Sequence, residues 1–149
     1  MRVSRLYTSQ ALTPNQSIEL DDEAAHYVRA VLRLKTGDTL ILFNGDGGEC
    51  HCRIEEVARK WVRVAVHERE ERSVESPLWV NLGLGIARGD RMDFSVQKAV
   101  ELGVSRITPI LTERCVVQFK GETKPQRWLH WQKISQHAAE QSGRTVLPE

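Results

Sequence analysis

LWVNLGLGIARGDRMDFSVQKAVELGVSRITPIL, residues 78–111, passes from an apolar run to an amphipathic stretch and back to an apolar run. That alternation decides the fold of the second half of the chain. Leu78 to Ala87 is near-continuously apolar, as buried strands of parallel sheets are. Arg88-Gly89-Asp90 ends the run and caps a helix that carries Met92, Val96, Ala99 and Val100 on one face. Gly103 follows as a closing residue, because it takes a left-handed conformation without a Cβ clash. Val104 to Leu111 then returns as strand, and the spacing predicts a β-α-β unit with a right-handed crossover. Further on, Pro125 is placed to open a helix at its first position. That helix runs through Trp128, Trp131, Ile134 and Ala138 to Gly143, and Val146-Leu147-Pro148-Glu149 begins another strand.

Upstream lies His67-Glu68-Arg69-Glu70-Glu71-Arg72-Ser73-Val74-Glu75-Ser76-Pro77, charged, poor in apolar residues and closed by a proline. It is read as a linker over 68–77, between a first module at 1–67 and a second at 78–149. In the first module Ser17 to Leu20 is a short strand, and Asp21 or Asp22 caps the helix after it. Ala24, Val28, Val31 and Leu32 form its apolar stripe, with His26, Arg29 and Arg33 together on the opposite face. Thr36-Gly37-Asp38 stops the helix. Thr39 to Phe43 is strand, and Asn44-Gly45-Asp46-Gly47-Gly48 is a turn. Cys50, Cys52 and Ile54, then Val62, Val64 and Val66, alternate as half-buried strands do. Short strands at this spacing with one helix predict a small barrel capped by the helix. The fold class is α+β, a β-barrel module followed by an incomplete α/β module.

Composition narrows the function classes. Of 149 residues, 40% are hydrophobic and 28% charged, which suits a globular chain and excludes disordered or collagenous ones. No apolar run approaches a membrane span and the first residues lack a signal-peptide core. Three cysteines are too few to staple a fold. These features predict a soluble cytoplasmic protein. The net charge is +1, so no bulk basic field advertises nucleic acid. The first 67 residues are balanced at nine basic and nine acidic, whereas residues 78–149 carry ten and seven.

Several clusters invite chemistry. Cys50-His51-Cys52 resembles a metal pair, but strand alternation puts His51 on the face opposite the cysteines, and zinc wants four convergent ligands. The cysteines, with Cys115, are read as structural, and no metal is expected. Gly83-Leu84-Gly85 with Gly89 misses the dinucleotide fingerprint, since two glycines fall inside the strand. His26, Arg29 and Arg33 form either a solvated face or a phosphate-contacting one. Glu113-Arg114 follows the second strand of the β-α-β unit, where open α/β sheets bind ligands; a structural ion pair is the alternative. Lys98 and Glu101, at i and i+3, are spaced to pair on the surface. Gln141 and Arg144 lie at the end of the last helix.

The strings His26-Tyr-Val-Arg-Ala-Val-Leu-Arg-Leu34, Gly37-Asp38 and Phe43-Asn44-Gly45 resemble the N-terminal module of the ribosomal RNA small-subunit methyltransferase E family. The resemblance continues through Arg91-Met-Asp93, Gln97-Lys98-Ala-Val-Glu101-Leu-Gly-Val104, Ile107-Thr-Pro109 and Thr112-Glu113-Arg114-Cys115. It closes with Trp131-Gln-Lys133-Ile134, Ala139-Glu140-Gln141-Ser-Gly143-Arg144 and Val146-Leu-Pro148. It implies a PUA-like RNA-binding barrel followed by a SPOUT domain, whose sheet ends in a trefoil knot. It further implies methyl transfer from S-adenosylmethionine to N3 of one uridine in 16S rRNA, on the small ribosomal subunit, by a cytoplasmic homodimer.

By the same resemblance, Glu113, Arg114 and Arg144 are candidates for the catalytic cleft. Lys98, Glu101 and Gln141 join Arg5, His26, Arg29 and Arg33 as RNA-facing candidates. Family members continue into a Gly-Pro-Glu-Gly-Gly-like loop and a Leu-Arg-x-Glu-Thr-like segment that build the knot and the cofactor pocket. Neither string occurs here, so the chain is expected to be truncated, to lack the cofactor site and to be inactive alone. A non-catalytic RNA-binding module is the competing expectation. A complete small protein with another ligand at Glu113-Arg114 is a third.

Overall fold

The computed structural model describes residues 3–115 and 123–149, the side chain of Thr123 excepted. The chain divides into two compact units, residues 1–73 and 74–149. No described helix is long and apolar enough to cross a membrane.

The first unit is a five-stranded sheet in the order β1-β3-β4-β5-β2. Its strands are β1 (Ser4–Tyr7), β2 (Gln16–Glu19), β3 (Thr39–Phe43), β4 (Gly48–Val57) and β5 (Val62–Glu71). β1 runs parallel to β3, and the other pairings are antiparallel. The expected barrel is therefore an open ladder: among the described residues β1 and β2 are its two edges. The alternating residues face one core, where Leu40, Leu42, Cys50, Cys52, Ile54, Val62, Val64 and Val66 pack with Ala25 and Val28.

The first four residues of the expected linker, 68–71, are strand, and the boundary between the two units falls within the rest of it. β5 continues to Glu71, and its backbone pairs with β4 as far as Gly48 opposite Glu71. The charges that suggested a linker lie on the outward face and form ion pairs there: Arg69 reaches Asp46 at 3.0 Å and Glu71 at 2.6 Å, and His51 lies 3.4 Å from Glu70. Backbone pairing places no demand on side-chain polarity when the side chains face water.

The helix α1 (Asp22–His26) is capped by Asp21, whose carboxylate accepts from the Ala24 amide at 2.8 Å. It then widens into a π-helical turn over Tyr27–Val31. This extra residue per turn breaks the expected 3.6-residue stripe: Ala25 and Val28 enter the core, while Val31 is exposed. Arg33 follows the helix at φ +54°, so it does not continue the helical face of His26 and Arg29.

The second unit pairs β6 (Asn81–Gly85) with β7 (Arg106–Ile110) in parallel. α2 (Asp90–Glu101) lies between them in sequence, and α3 (Thr123–Ser142) packs on α2. Met92, Val96 and Val100 of α2 are buried as its periodicity requires. Gly103, at φ +92°, closes α2: its amide donates to the Val100 carbonyl, and the Val104 amide donates to that of Ala99, both at 3.0 Å. α3 begins at Thr123, two residues ahead of Pro125. Proline is tolerated there because first-turn amides have no intrahelical acceptor.

β6 is shorter and wetter than the apolar run implies. Leu78 and Trp79 lie outside it and are exposed, and the strand itself alternates between exposed and half-buried residues. On the other side of β7 the Glu149 amide donates to Ser105 and its carbonyl accepts from Ile107, at 3.0 and 2.9 Å. The last residue thus takes a third parallel position in the sheet.

Candidate functional site

Parallel strands send all their carboxyl ends to one side, and the loops there are free to build a site. In the second unit those loops enclose a cleft of about 700 Å³, lined by Gly85, Ile86, Ala87, Arg88, Arg91, Thr112, Arg114 and Cys115. Its floor is pinned by the backbone. The Ile86 amide donates to the Ile110 carbonyl at 3.0 Å, and the Cys115 amide to that of Thr112 at 3.0 Å. The Cys115 thiol donates to the Ile86 carbonyl at 3.1 Å, tying the two loops together.

Three arginines, Arg88, Arg91 and Arg114, line this cleft, and no acidic residue lines it among the described residues. Gly89, at φ +52°, starts α2 beside them, so the helix adds the positive end of its dipole. Such a lining favours an anionic ligand with several acceptors.

Of the residues expected to share a cleft, the structure places Arg114 there. Glu113 sits in the same loop, exposed, outside the lining. Lys98, Glu101, Gln141 and Arg144 belong to the opposite end of the unit, where α2 and α3 finish. Lys98 pairs with Glu101 at 2.7 Å, as the i, i+3 spacing predicts. Gln141 borders a separate groove between α2 and α3 with Asp93, Phe94 and His130.

Arg144 departs most from its expected catalytic role. Its side chain is 5% exposed, bonded to Glu75 and to the carbonyls of Val100 and Val104. It is a buried clamp.

In the first unit, Arg5 is also withdrawn from its expected RNA contact. Its side chain is 7% exposed, paired at 2.7 Å with the buried Glu49 and stacked 4.9 Å over the Phe43 ring. Arg29 donates to the carbonyls of Ala25 at 3.1 Å and Ala58 at 3.4 Å, joining the helix to the β4–β5 turn. His26 and Arg33 are exposed. Cys50 and Cys52 face the core with His51 outside. Burial pushes both thiols up, that of Cys52 to about 12.

Sequence reasoning missed Arg88, Arg91 and Thr112. The signal was present: Arg88 and Arg91 follow a parallel strand just as Arg114 does, and the strand-end rule covers both loops.

The comparisons with known proteins follow this geometry. A family model described as "RNA methyltransferase domain" matches residues 74–149, and one described as "RNA methyltransferase PUA domain" matches residues 20–66. The ribosomal RNA small subunit methyltransferase E of Buchnera aphidicola (subsp. Schizaphis graminum) is 36% identical over 99% of this chain, which spans 60% of the relative. The protein of that name from Bacillus subtilis is 30% identical over 95% of this chain and 55% of its own length. Among solved structures, a putative methyltransferase from Legionella pneumophila with bound cofactor SAM superposes with a TM-score of 0.97. It is 41% identical and covers all of this chain, against 62% of its own. A ribosomal RNA small subunit methyltransferase E from Neisseria gonorrhoeae, bound to S-adenosyl methionine, gives 0.95 at 35% identity, over 99% and 60% of the two chains. The chain spans about 60% of the length of these relatives.

Proposed function

The chain belongs to the RNA methyltransferase domain family, among the ribosomal RNA small subunit methyltransferases E, and from that premise we propose that its protein methylates small-subunit ribosomal RNA with S-adenosylmethionine as donor, at N3 of a uridine. The observation that carries this reading is the cleft of Arg88, Arg91 and Arg114 beyond the carboxyl ends of β6 and β7. Three arginines, with no acidic residue lining the cleft among the described residues, suit the phosphates of RNA, which arginine grips through two parallel hydrogen bonds. The methyl donor carries a single carboxylate beside its sulfonium and ammonium cations, so it can engage at most one of the three guanidinium groups. The others are left for the RNA.

Uracil N3 becomes nucleophilic once its proton passes to solvent water. Fixed cations beside the base lower the energy of the resulting anion, and they need no reorganisation to do so. The same groups hold the flanking phosphates, so that a base taken out of its stack is presented in one orientation. Arg114 lies in the loop after β7, Arg88 in the loop before α2 and Arg91 in the first turn of α2.

The test uses the product of the reading frame that encodes this chain, with S-adenosylmethionine labelled in its methyl group and small ribosomal subunits lacking the modification. Label mapped by mass spectrometry to N3 of one uridine in the small-subunit RNA is the expected result. Label on another base atom overturns the uridine N3 assignment. Bound subunits without label would favour a non-catalytic RNA-binding module.

A further inference from the structure

The β4–β5 hairpin of the first unit turns at Ala58–Trp61, closed by the Ala58 amide donating to the Trp61 carbonyl at 2.9 Å. Arg59 and Lys60 occupy its tip, both exposed. The Arg63 guanidinium lies 4.9 Å over the half-exposed Trp61 ring. From the helix side, Arg29 reaches the Ala58 carbonyl at 3.4 Å, so its cation sits at the same turn.

Among the described residues none of Arg29, Arg59, Lys60 and Arg63 is in an ion pair, whereas Arg5, Arg69 and Arg72 of the same unit each have a carboxylate. Glu19 and Glu56 stand opposite Arg63 in strand register, and neither is in an ion pair with it. They put negative charge on the strand side, and Asp21, Asp22 and Glu23 add more at the start of α1, so the unpaired cations are confined to the tip, Arg63 and Arg29.

We propose that this hairpin end is an RNA-docking surface for an unpaired segment, with Trp61 as the stacking platform for a base and Arg59, Lys60 and Arg29 as contacts to consecutive phosphates. This rests on the reading of the chain as an RNA-acting protein and names where the first unit holds its RNA. An aromatic ring accepts any base face, and cations beside it follow the backbone, the combination that single strands select. Duplex RNA hides its base faces and uses only the charges. Arg63, already stacked on Trp61, holds the ring in place from the side away from the base.

The test titrates the full chain with a fluorescently labelled single-stranded RNA and with the same sequence as a duplex, across a range of salt. Trp61→Leu is expected to weaken single-strand binding about fivefold or more and to leave the salt slope unchanged. Arg59→Glu with Lys60→Glu, both in solvent, is expected to weaken both ligands and to flatten the slope of log affinity against log salt by about 1 or more. RNA carrying 4-thiouridine should crosslink to the peptide containing Trp61. Wild-type affinity in both variants, a crosslink elsewhere, or equal displacement of the RNA by polyglutamate overturns the surface. Failure of methyl transfer with these binding changes intact would count against the enzymatic reading and leave the docking surface standing.

Discussion

Arg144 and Glu75 are locked together at the base of the second unit: Nε and Nη2 of the arginine lie 2.9 and 2.5 Å from one carboxylate oxygen of Glu75. The remaining nitrogen, Nη1, donates to the carbonyls of Val100 and Val104 at 3.0 and 2.9 Å. One planar group thereby joins the segment before β6 to the closing turn of α2. Arg144→Ala leaves a carboxylate and two carbonyls without their donor. It is expected to destabilise the chain by about 3 kcal/mol in urea unfolding. Arg144→Lys should recover only part of this, because an ammonium cannot serve all three partners in one plane. RNA affinity of the folded variants should match the wild type. Unchanged stability with lost affinity would return Arg144 to the cleft chemistry.

A second prediction concerns the turn before β4. A Cβ on Gly48 would stand 2.5 Å from Nη2 of Arg69, whose guanidinium lies across the glycine to reach both Asp46 oxygens at 3.0 Å. That bond is the main reason Asp46 is held below the usual carboxylate range. Gly48→Ala displaces the arginine, so the Asp46 carboxyl should titrate at higher pH by NMR. A depressed carboxylate adds stability above its unfolded pKa and loses it as pH falls through the folded value. The acid limb of the stability curve should therefore flatten in the variant. At neutral pH the cost stays below about 1 kcal/mol, since Asp46 is 45% exposed and water screens the pair. An unmoved Asp46 titration would assign its shift to the turn amides instead.

The elements were legible wherever one local rule governed. The closing glycine of α2, the alternation of Val62, Val64 and Val66, and the Asp21 cap each follow from chemistry within a few residues. What escaped depends on partners distant in sequence. Arg144 resembles an exposed helix-end arginine until Glu75 is brought to it, and Arg5 looks available until Glu49 is buried beneath it. The run of charges at 68–71 has the composition of a linker, yet β4 supplies backbone partners that composition does not record. The π-helical turn at Tyr27–Val31 shifts the phase of an amphipathic stripe, so Val31 faces water against its pattern. Of the residues expected to share a cleft, Arg114 lines the one beyond β6 and β7, a placement the strand-end rule reaches from the order of β6, α2 and β7 alone.

The three cysteines should separate cleanly by reactivity. Cys50 and Cys52 are buried in the sheet core, and burial pushes both thiols up. The thiolate is the reactive form, so neither should react with a disulfide reagent in the native chain near pH 8. Cys115 is partly exposed at the cleft. One thiol per chain is therefore expected to react natively, and three in urea. Reaction at Cys50 or Cys52 without denaturant would mean that the β3–β4–β5 core opens readily.

The cleft arginines carry the last prediction. If Arg88, Arg91 and Arg114 bind phosphates or the uracil anion, each alanine substitution removes one charged hydrogen-bond donor, worth about 1.5 kcal/mol or tenfold in affinity. Removing a cation that neutralises a phosphate should also lower the salt slope by about 0.7 in single-stranded RNA. Glu113→Ala, in the same loop but outside the lining, should leave both quantities unchanged or raise affinity slightly by removing a repelling charge. Arg114→Lys tells phosphate recognition from simple charge, since lysine keeps the cation and gives up the planar fork. A substantial loss in Arg114→Lys, with the salt slope preserved, would identify bidentate recognition. Full retention would mean that the cleft uses Arg114 only for its field, and then Glu113→Ala should strengthen binding in step with the charge it removes.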